Sequence, residues 1–220
     1  MGSESARAWD REYEAGRYDA EPPEPFLDDI LAAARQAGIT SGLYIGCGNG
    51  RNYVPLVRAG LNVVGLDISP IALAQLAERV PERRDSLICG DLGALPRDAC
   101  YDLVLGIQVF QHGDRATAHA HIRSAVDRVA PDGLFAIRVN AAQTDVWPAH
   151  TITERGADDG FSVRYREGAK SGLDIHFFAR AELESLLAGL RPVLPLRLRS
   201  TRRQPPAPGQ WSQWEGIWQK

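Results

Sequence analysis

Residues 43–52 read Leu-Tyr-Ile-Gly-Cys-Gly-Asn-Gly-Arg-Asn. The apolar start of this stretch is typical of a buried strand, and glycine then occupies the alternate positions 46, 48 and 50. We expect a strand that turns directly into a helix, because glycine permits a tight turn and leaves no Cβ in the way of a ligand. The unpaired N–H groups at the start of the helix would face that ligand. The stretch therefore predicts a cofactor-binding turn.

The glycine spacing distinguishes between two classes of cofactor. Dinucleotide-binding proteins use Gly-x-Gly-x-x-Gly/Ala, in which the last small residue lets the helix pack close to the strand. Here that position is Arg51, which disfavours a nicotinamide oxidoreductase but leaves it as an alternative. The spacing Gly-x-Gly-x-Gly resembles the first motif of class I S-adenosylmethionine-dependent methyltransferases, usually Leu-Asp-Leu-Gly-Cys-Gly-x-Gly. The resemblance implies that S-adenosylmethionine binds at Gly46, Cys47, Gly48, Asn49 and Gly50.

Two acidic residues downstream extend the resemblance. Asp67 ends the apolar segment Leu61–Asp67, where a carboxylate can accept both hydroxyls of a ribose. A helix cap is the alternative role, but Ser69 already fills that position. Asp91, in Cys89-Gly-Asp-Leu92, matches the family position that accepts the adenine amino group, and an ordinary turn aspartate is the alternative. The resemblance implies further cofactor contacts at Ile68 and at the backbone N–H of Leu92.

The segment Tyr101–Ile107 and the following Gln108-Val-Phe-Gln-His112 resemble the fourth strand of these methyltransferases and the short helix after it. Gln108 would lie at the carboxyl end of the strand, near the transferred methyl group, and is a candidate for cofactor binding and catalysis. His112 is a candidate general base, because the ordinary pKa of histidine lies near neutrality. It is equally suited to holding the short helix in place.

Strand and helix patterns alternate along the chain, which is typical of an open, mostly parallel α/β sheet with helices on both faces. We predict seven strands, the last two forming a C-terminal antiparallel hairpin over Val193–Thr201 and Trp211–Trp218. The predicted helices cover residues 26–36, 51–59, 70–79, 117–130 and 180–188, and a tight turn at 131–133 precedes the strand 134–139.

We predict a single methyltransferase domain over residues 1–220, with two segments outside the strand–helix alternation. Residues 1–25 carry Trp9, Tyr13 and Tyr18 and form either a loosely docked arm or a lid over the cofactor. Residues 141–178 are rich in charge and glycine, and we expect a substrate cap there. The candidates for contact with substrate are Tyr13, Asn140, Arg164 and His176.

One position departs from the family motif. The family usually has an acid where this chain has Tyr44, and that acid helps to organise the loop at the amino-acid end of the cofactor. Its absence allows a cofactor-binding regulator without turnover. The tyrosine hydroxyl or an acid of the N-terminal arm, Asp10, Glu12, Glu14 or Asp19, would have to substitute.

The composition of the chain limits the kinds of partner that we expect it to bind. The formal net charge of −3 gives no electrostatic reason to expect nucleic acid. The apolar runs are far shorter than the roughly 20 residues of a bilayer span. Three cysteines without metal-ligand spacing favour reduced thiols in the cytoplasm. We therefore predict a cytoplasmic monomer or homodimer without a metal ion.

The resemblance implies methyl transfer to an oxygen, nitrogen or sulfur atom of a small molecule. Methyltransferases acting on adenine or glutamine carry Asn/Asp-Pro-Pro-Tyr after the fourth strand, whereas this chain has Gly106-Ile-Gln-Val109. Metal-dependent catechol-type enzymes need clustered acids, which Asn140 does not supply. A protein or RNA methyltransferase stays open through the basic run Arg197, Arg199, Arg202 and Arg203, for which a solvated edge strand is favoured over an anion site.

Overall fold

The computed structural model describes residues 3–168 and 170–220. The chain forms two compact units, one of Met1–Gly106 with Asp127–Phe135 and one of Ile107–Val126 with Ala136–Lys220. Each unit is built from two separate stretches of chain. The single domain expected over residues 1–220 stays a prediction.

Six α-helices lie within the described residues: α1 Ser3–Glu14, α2 Phe26–Gln36, α3 Tyr53–Arg58, α4 Pro70–Arg79, α5 Arg115–Asp127 and α6 Arg180–Leu186. Short 3-10 turns cover Pro81–Ser86 and Leu92–Ala94. The start of α4 follows from its sequence, because the Ser69 side chain accepts the N–H of Ala72 at 3.1 Å and proline occupies the first helical position. None of the helices in these ranges has both the length and the apolar character that a bilayer crossing requires.

The strands are β1 Ser41–Ile45, β2 Asn62–Asp67, β3 Leu87–Cys89, β4 Tyr101–Ile107, β5 Val129–Asn140, β6 His150–Arg155, β7 Phe161–Tyr165, β8 Asp174–Phe177, β9 Arg191–Arg202 and β10 Gln210–Gln219. Seven of them form one sheet in the order β3-β2-β1-β4-β5-β10-β9. β1 pairs in parallel with β2 and β4, whereas β9 and β10 are antiparallel. The predicted seven-stranded sheet with its terminal hairpin is confirmed.

The central strand β1 explains the apolar run in the sequence. Leu43 pairs with Val64 on one side and Val104 on the other, and its side chain is fully buried. A parallel strand covered on both faces is apolar at almost every position rather than at alternate ones. Since β1, β2 and β3 run in parallel, their carboxyl ends meet at one edge of the sheet, where the glycine turn, Asp67 and the residues after Cys89 follow.

One predicted helix has shifted ends, and two other local predictions were wrong. The expected helix over residues 117–130 is α5, which starts and ends earlier, and β5 begins at Val129. The tight turn expected at 131–133 lies within β5, where Asp132 has a left-handed backbone with φ 63°. The short helix expected after β4 is replaced by a turn, in which His112 forms a β-bridge with Ile175.

The segment 141–178, predicted as a substrate cap, contains a second sheet. β6, β7 and β8 pair in antiparallel order, with a small apolar core of Val163, Tyr165, Ile175 and Phe177. The sequence of β7 is mostly apolar or aromatic and suits an extended segment, whereas β6 has no apolar alternation because five of its six residues are exposed.

Candidate active site

The glycine turn after β1 needs all three of its glycines. Gly46, Gly48 and Gly50 have φ values of 72°, 55° and 97°, in the left-handed region that favours glycine. The N–H groups of Gly46 and Cys47 both donate to the carbonyl oxygen of Leu66, at 2.7 and 3.2 Å. The turn is thereby fixed to the end of β2.

Asp67 lies at that end of β2 and is 8% exposed. Its Oδ2 accepts the backbone N–H of Gly48 at 2.8 Å, and its Oδ1 accepts the N–H of Ser69 at 2.9 Å. Burial raises the pKa of the Asp67 carboxyl above its ordinary value, and these backbone donors oppose that rise. Each carboxylate oxygen has a second lone pair, so both retain capacity to accept a ligand hydroxyl.

The N-terminal arm packs on the glycine turn through α1. A Cβ at position 48 would overlap the Tyr13 hydroxyl. Asp10 Oδ1 accepts the Ser69 hydroxyl at 2.5 Å, and Gln75 donates to the Tyr13 carbonyl at 3.0 Å. The Trp9, Tyr13 and Tyr18 rings form a cluster with centroids 5.5–6.4 Å apart. These contacts favour the lid interpretation over a loosely docked arm.

An acid of the arm reaches the turn, whereas Tyr44 does not. Tyr44 is 1% exposed, and its hydroxyl accepts from Asn52 Nδ2 at 3.2 Å within the core. Asn49 Nδ2 donates to Asp19 Oδ1 at 2.9 Å. Arg51 pairs with Glu24 at 2.8 Å. Among the acids considered as substitutes for the motif acid, Asp19 is therefore the one bonded directly to the glycine turn.

Asp91 follows β3 and begins the 3-10 turn Leu92–Ala94. Its Oδ1 accepts the Gly93 N–H at 2.9 Å. The carbonyl of Leu92 accepts a hydrogen bond from Arg128 at 3.3 Å, while the Leu92 N–H is the group expected to meet adenine. Asp91 therefore has the alternative role of a turn aspartate, in which only its Oδ1 accepts the Gly93 N–H.

In the second unit, Gln108 ends β4 with φ 60°, a left-handed conformation that is uncommon for a non-glycine residue. Its backbone N–H donates to the carbonyl of Arg138 at 2.7 Å. Its side-chain Nε2 is buried and has no hydrogen-bond partner among the described residues. Backbone strain together with an unpaired buried donor is typical of a functional site.

His112 is held close to Gln108. Its Nε2 lies 3.2 Å from the Gln108 carbonyl oxygen. Burial, supported by the positive charge of Lys170, lowers the pKa of His112 to about 3. The ring is therefore neutral near pH 7 and a weak proton acceptor.

The turn that carries these residues is an extension of the small sheet. The N–H of Gly113 donates to Asp174 and that of His176 donates to Gln111, both at 2.8 Å. The segment 141–178 therefore sets the position of the turn after β4 through backbone hydrogen bonds.

Residues 43–133, which include the glycine turn, Asp67 and Asp91, match a family model described as a methyltransferase domain. Residues 43–133 are a methyltransferase domain. The match covers 91 of the 220 residues, and the fold agrees with that of solved S-adenosylmethionine-dependent methyltransferases. No curated protein matches the sequence.

Solved methyltransferases share the fold. An S-adenosylmethionine-dependent methyltransferase from Clostridium acetobutylicum has a TM-score of 0.63 and 14% identity, covering 95% of this chain and 98% of its own. The 1,6-didemethyltoxoflavin-N1-methyltransferase from Burkholderia thailandensis has a TM-score of 0.62 and 21% identity, covering 100% and 91%. The amino pentose methyltransferase CalS10 from Micromonospora echinaspora has a TM-score of 0.58 and 18% identity, covering 93% and 95%.

The structure gives three of the predicted substrate residues other partners. The Asn140 side-chain oxygen accepts from Trp211 at 3.0 Å. Arg164 is exposed and forms two hydrogen bonds with Asp174, at 2.9 and 2.5 Å. His176 is fully buried and is bonded through both ring nitrogens. These contacts favour structural roles for Arg164 and His176.

Two buried carboxylate clusters were not predicted. One carboxylate oxygen of Glu182, Oε1, contacts the side-chain nitrogens of His119, His176 and Arg115. Glu215 pairs with Arg138 at 3.0 Å, Arg197 at 2.9 Å and Arg199 at 3.5 Å. The second cluster neutralises part of the basic run on β9, which favours an edge strand over an anion site. No spacing signal reveals either cluster, because the partners come from distant parts of the chain.

Proposed function

We propose that this methyltransferase transfers the methyl group of S-adenosylmethionine to an oxygen, nitrogen or sulfur atom of a small molecule. The observation that carries the proposal is the hydrogen bond from Gly48 to Asp67, which fixes a carboxylate beside a glycine turn within the matched domain. When bound, S-adenosylmethionine supplies an electrophilic methyl group on its sulfonium.

The residues of the first unit suit the adenosyl part of that cofactor. Asp67 would accept the two ribose hydroxyls with the lone pairs that the Gly48 and Ser69 N–H groups leave. Asp91 and the N–H of Leu92 would bind the adenine edge, and Ile68 would contact the adenosyl group. The turn residues 46–50 would present backbone to the cofactor without a Cβ in the way.

The N-terminal arm would cover the cofactor and keep water out. The Tyr13 hydroxyl already lies over Gly48, so binding has to involve this side chain. Trp9, Tyr13 and Tyr18 supply aromatic faces, which attract a cation such as a sulfonium. Asp19 and Asn49 would take over part of the loop organisation that the family assigns to the motif acid.

On the acceptor side, we assign the main role to Gln108. Its unpaired Nε2 would donate to an acceptor atom of the substrate and so orient the nucleophile. His112, with its pKa lowered to about 3, would position the turn through the Gln108 carbonyl rather than accept a proton. Correct placement of an already nucleophilic atom supplies much of the rate in such a transfer.

A small acceptor is favoured over a polymer. The relatives named above are described as acting on 1,6-didemethyltoxoflavin and on an amino pentose. In this chain Arg197 and Arg199 face Glu215 instead of forming an unpaired basic surface. Cytoplasmic location and a monomeric or homodimeric state remain predictions from the sequence.

The proposal is tested with methyl-labelled S-adenosylmethionine and a cell extract separated into low-molecular-mass, RNA and protein fractions. We expect S-adenosylhomocysteine to form and the label to enter the low-molecular-mass fraction only. An Asp67→Asn variant controls for label introduced by other enzymes. Label in protein or RNA would overturn the small-molecule assignment. Cofactor binding without turnover on any fraction would instead support a regulator, the alternative that Tyr44 favours.

A further inference from the structure

Three side chains of the second unit bring metal-ligating atoms together. They are His119 on α5, His176 on β8 and Glu182 in the first turn of α6, and their ligand atoms all lie within 4.8 Å of one another. The Nε2 atoms of both histidines meet the same carboxylate oxygen, Glu182 Oε1, with His176 at 2.9 Å. His176 and Glu182 are 0% and 3% exposed.

The surroundings of this cluster carry more negative than positive charge. The Arg115 guanidinium contacts Glu182 at 3.1 Å and Asp158 at 2.5 Å. A third carboxylate, Glu154, lies 3.5 Å from the Ser162 hydroxyl that bonds to His176. Counted without the imidazoles, three carboxylates and one guanidinium give an excess of two negative charges, with Glu182 buried, Asp158 partly exposed and Glu154 exposed. A divalent cation would neutralise it.

We propose that His119, His176 and Glu182 bind a divalent transition-metal ion, with zinc as the best match. Two imidazole nitrogens and one carboxylate oxygen form a common zinc ligand set, in which a fourth position is left for water. The remaining atoms of two of the three ligands are already oriented. His176 Nδ1 lies 2.9 Å from Ser162 Oγ, and Glu182 Oε2 accepts the Ala179 N–H at 3.1 Å. Such outer hydrogen bonds are typical of metal-bound histidine and carboxylate.

Arg115 does not obstruct the ion. Its guanidinium has a second carboxylate partner in Asp158, so it keeps an ion pair when Glu182 turns its oxygen to the metal. The His119 side chain is 16% exposed, which provides the approach for an ion to the otherwise buried cluster.

The ion would connect three elements of the second unit. Its ligands come from α5, from the last strand of the small sheet and from the start of α6, so the ion would cross-link the end of the 141–178 segment to two helices. This inference rests on the cluster alone and does not depend on the proposed methyl transfer.

The test is zinc binding to the full-length protein after dialysis against a chelator. We expect calorimetry to give one zinc ion per chain, and cobalt substitution to give visible ligand-field bands without the near-ultraviolet thiolate band that Cys89 or Cys100 would produce. His119→Gln should weaken zinc binding at least tenfold. His121→Gln, two positions along the same helix, is the matched control and should bind as the unaltered protein does.

A second variant guards against misfolding. Ser162→Ala keeps all three ligands but removes the outer bond to His176, and we expect zinc affinity to fall about 10- to 100-fold. Binding of S-adenosylhomocysteine should be the same with and without zinc, which separates this test from that of the proposed function. If the protein takes up no zinc, or if His119→Gln binds zinc as tightly as the unaltered chain, the cluster is a hydrogen-bonded ion-pair network and the inference is wrong.

Discussion

The backbone N–H of Gly48 donates to Asp67 Oδ2 at 2.8 Å, so the middle glycine of the turn and the acid at the end of β2 form one unit. The same carboxylate holds the N–H of Ser69, the residue that caps α4. The turn, the acid and the start of the next helix are therefore fixed relative to each other before any ligand binds. Preorganisation of this kind lowers the entropic cost of binding.

Replacement of Asp67 by asparagine should weaken binding of S-adenosylhomocysteine by about 1–3 kcal/mol, since a ribose hydroxyl would lose its charged acceptor. Calorimetry measures the affinity, and thermal unfolding establishes that the variant folds. Asp85→Asn, an acid of the 3-10 turn Pro81–Ser86, is the control and should bind normally. Equal affinities for both variants would show that Asp67 does not bind the ribose.

Gly48→Ala should cost more stability than Gly38→Ala. Both glycines have a left-handed backbone, with φ 55° and 69°, so each alanine adds about 1 kcal/mol of strain. At Gly38 a Cβ meets nothing within 4 Å, whereas at Gly48 it overlaps the Tyr13 hydroxyl. Urea denaturation gives the difference. Adding Tyr13→Phe to Gly48→Ala should recover part of it, and no recovery would place Tyr13 away from the turn in solution.

His112 should make the protein less stable in mild acid. Its pKa is about 3 in the folded protein against an ordinary value of 6.5, so between these values the unfolded chain binds a proton that the folded chain does not. The contribution of His112 to the free energy of unfolding is therefore complete above pH 6.5. As the pH is lowered below 6.5, this contribution decreases by up to about 1.4 kcal/mol per pH unit. Denaturation at pH 7.0, 6.0 and 5.0 should show a shallower fall for His112→Asn. Parallel curves would contradict the assignment.

Glu215→Gln should destabilise the protein by about 3 kcal/mol, because it leaves the buried Arg138 without its carboxylate partner. Glu184→Gln is the control, since Glu184 pairs with Arg180 at the surface one helical turn away, and its loss should cost about 0.5 kcal/mol or less. Chemical denaturation measures both. A small effect at Glu215 would mean that the basic run of β9 does not depend on it.

Much of the fold was predictable from local patterns. The run Leu43–Ile45 and the proline after Ser69 fix a buried strand and a helix start, and both lie where they were predicted. The strands of the small sheet were missed in part, because five of the six residues of β6 are exposed and only its pairing with β7 makes it a strand. Helix α1 was missed because its burial depends on α4 and the glycine turn, which are distant in sequence.

Part of the candidate site was likewise predictable from the sequence, and part of it was not. The glycine turn and Asp67 follow from chain order, because parallel neighbouring strands bring their ends together. The hydrogen bond from Asn49 to Asp19 and the neutral state of His112 depend on burial and on side-chain direction, which no spacing reveals. The Glu182 cluster joins residues 63 positions apart, and only the folded chain brings them together.

The most direct test of the account is calorimetric titration of the protein with S-adenosylhomocysteine and, separately, with NADH. We predict one S-adenosylhomocysteine molecule bound per chain, no heat from NADH, and S-adenosylhomocysteine binding weakened by about 1–3 kcal/mol in Asp67→Ala. NADH binding in place of S-adenosylhomocysteine, or no binding of either ligand by the folded protein, would contradict the assignment of the glycine turn.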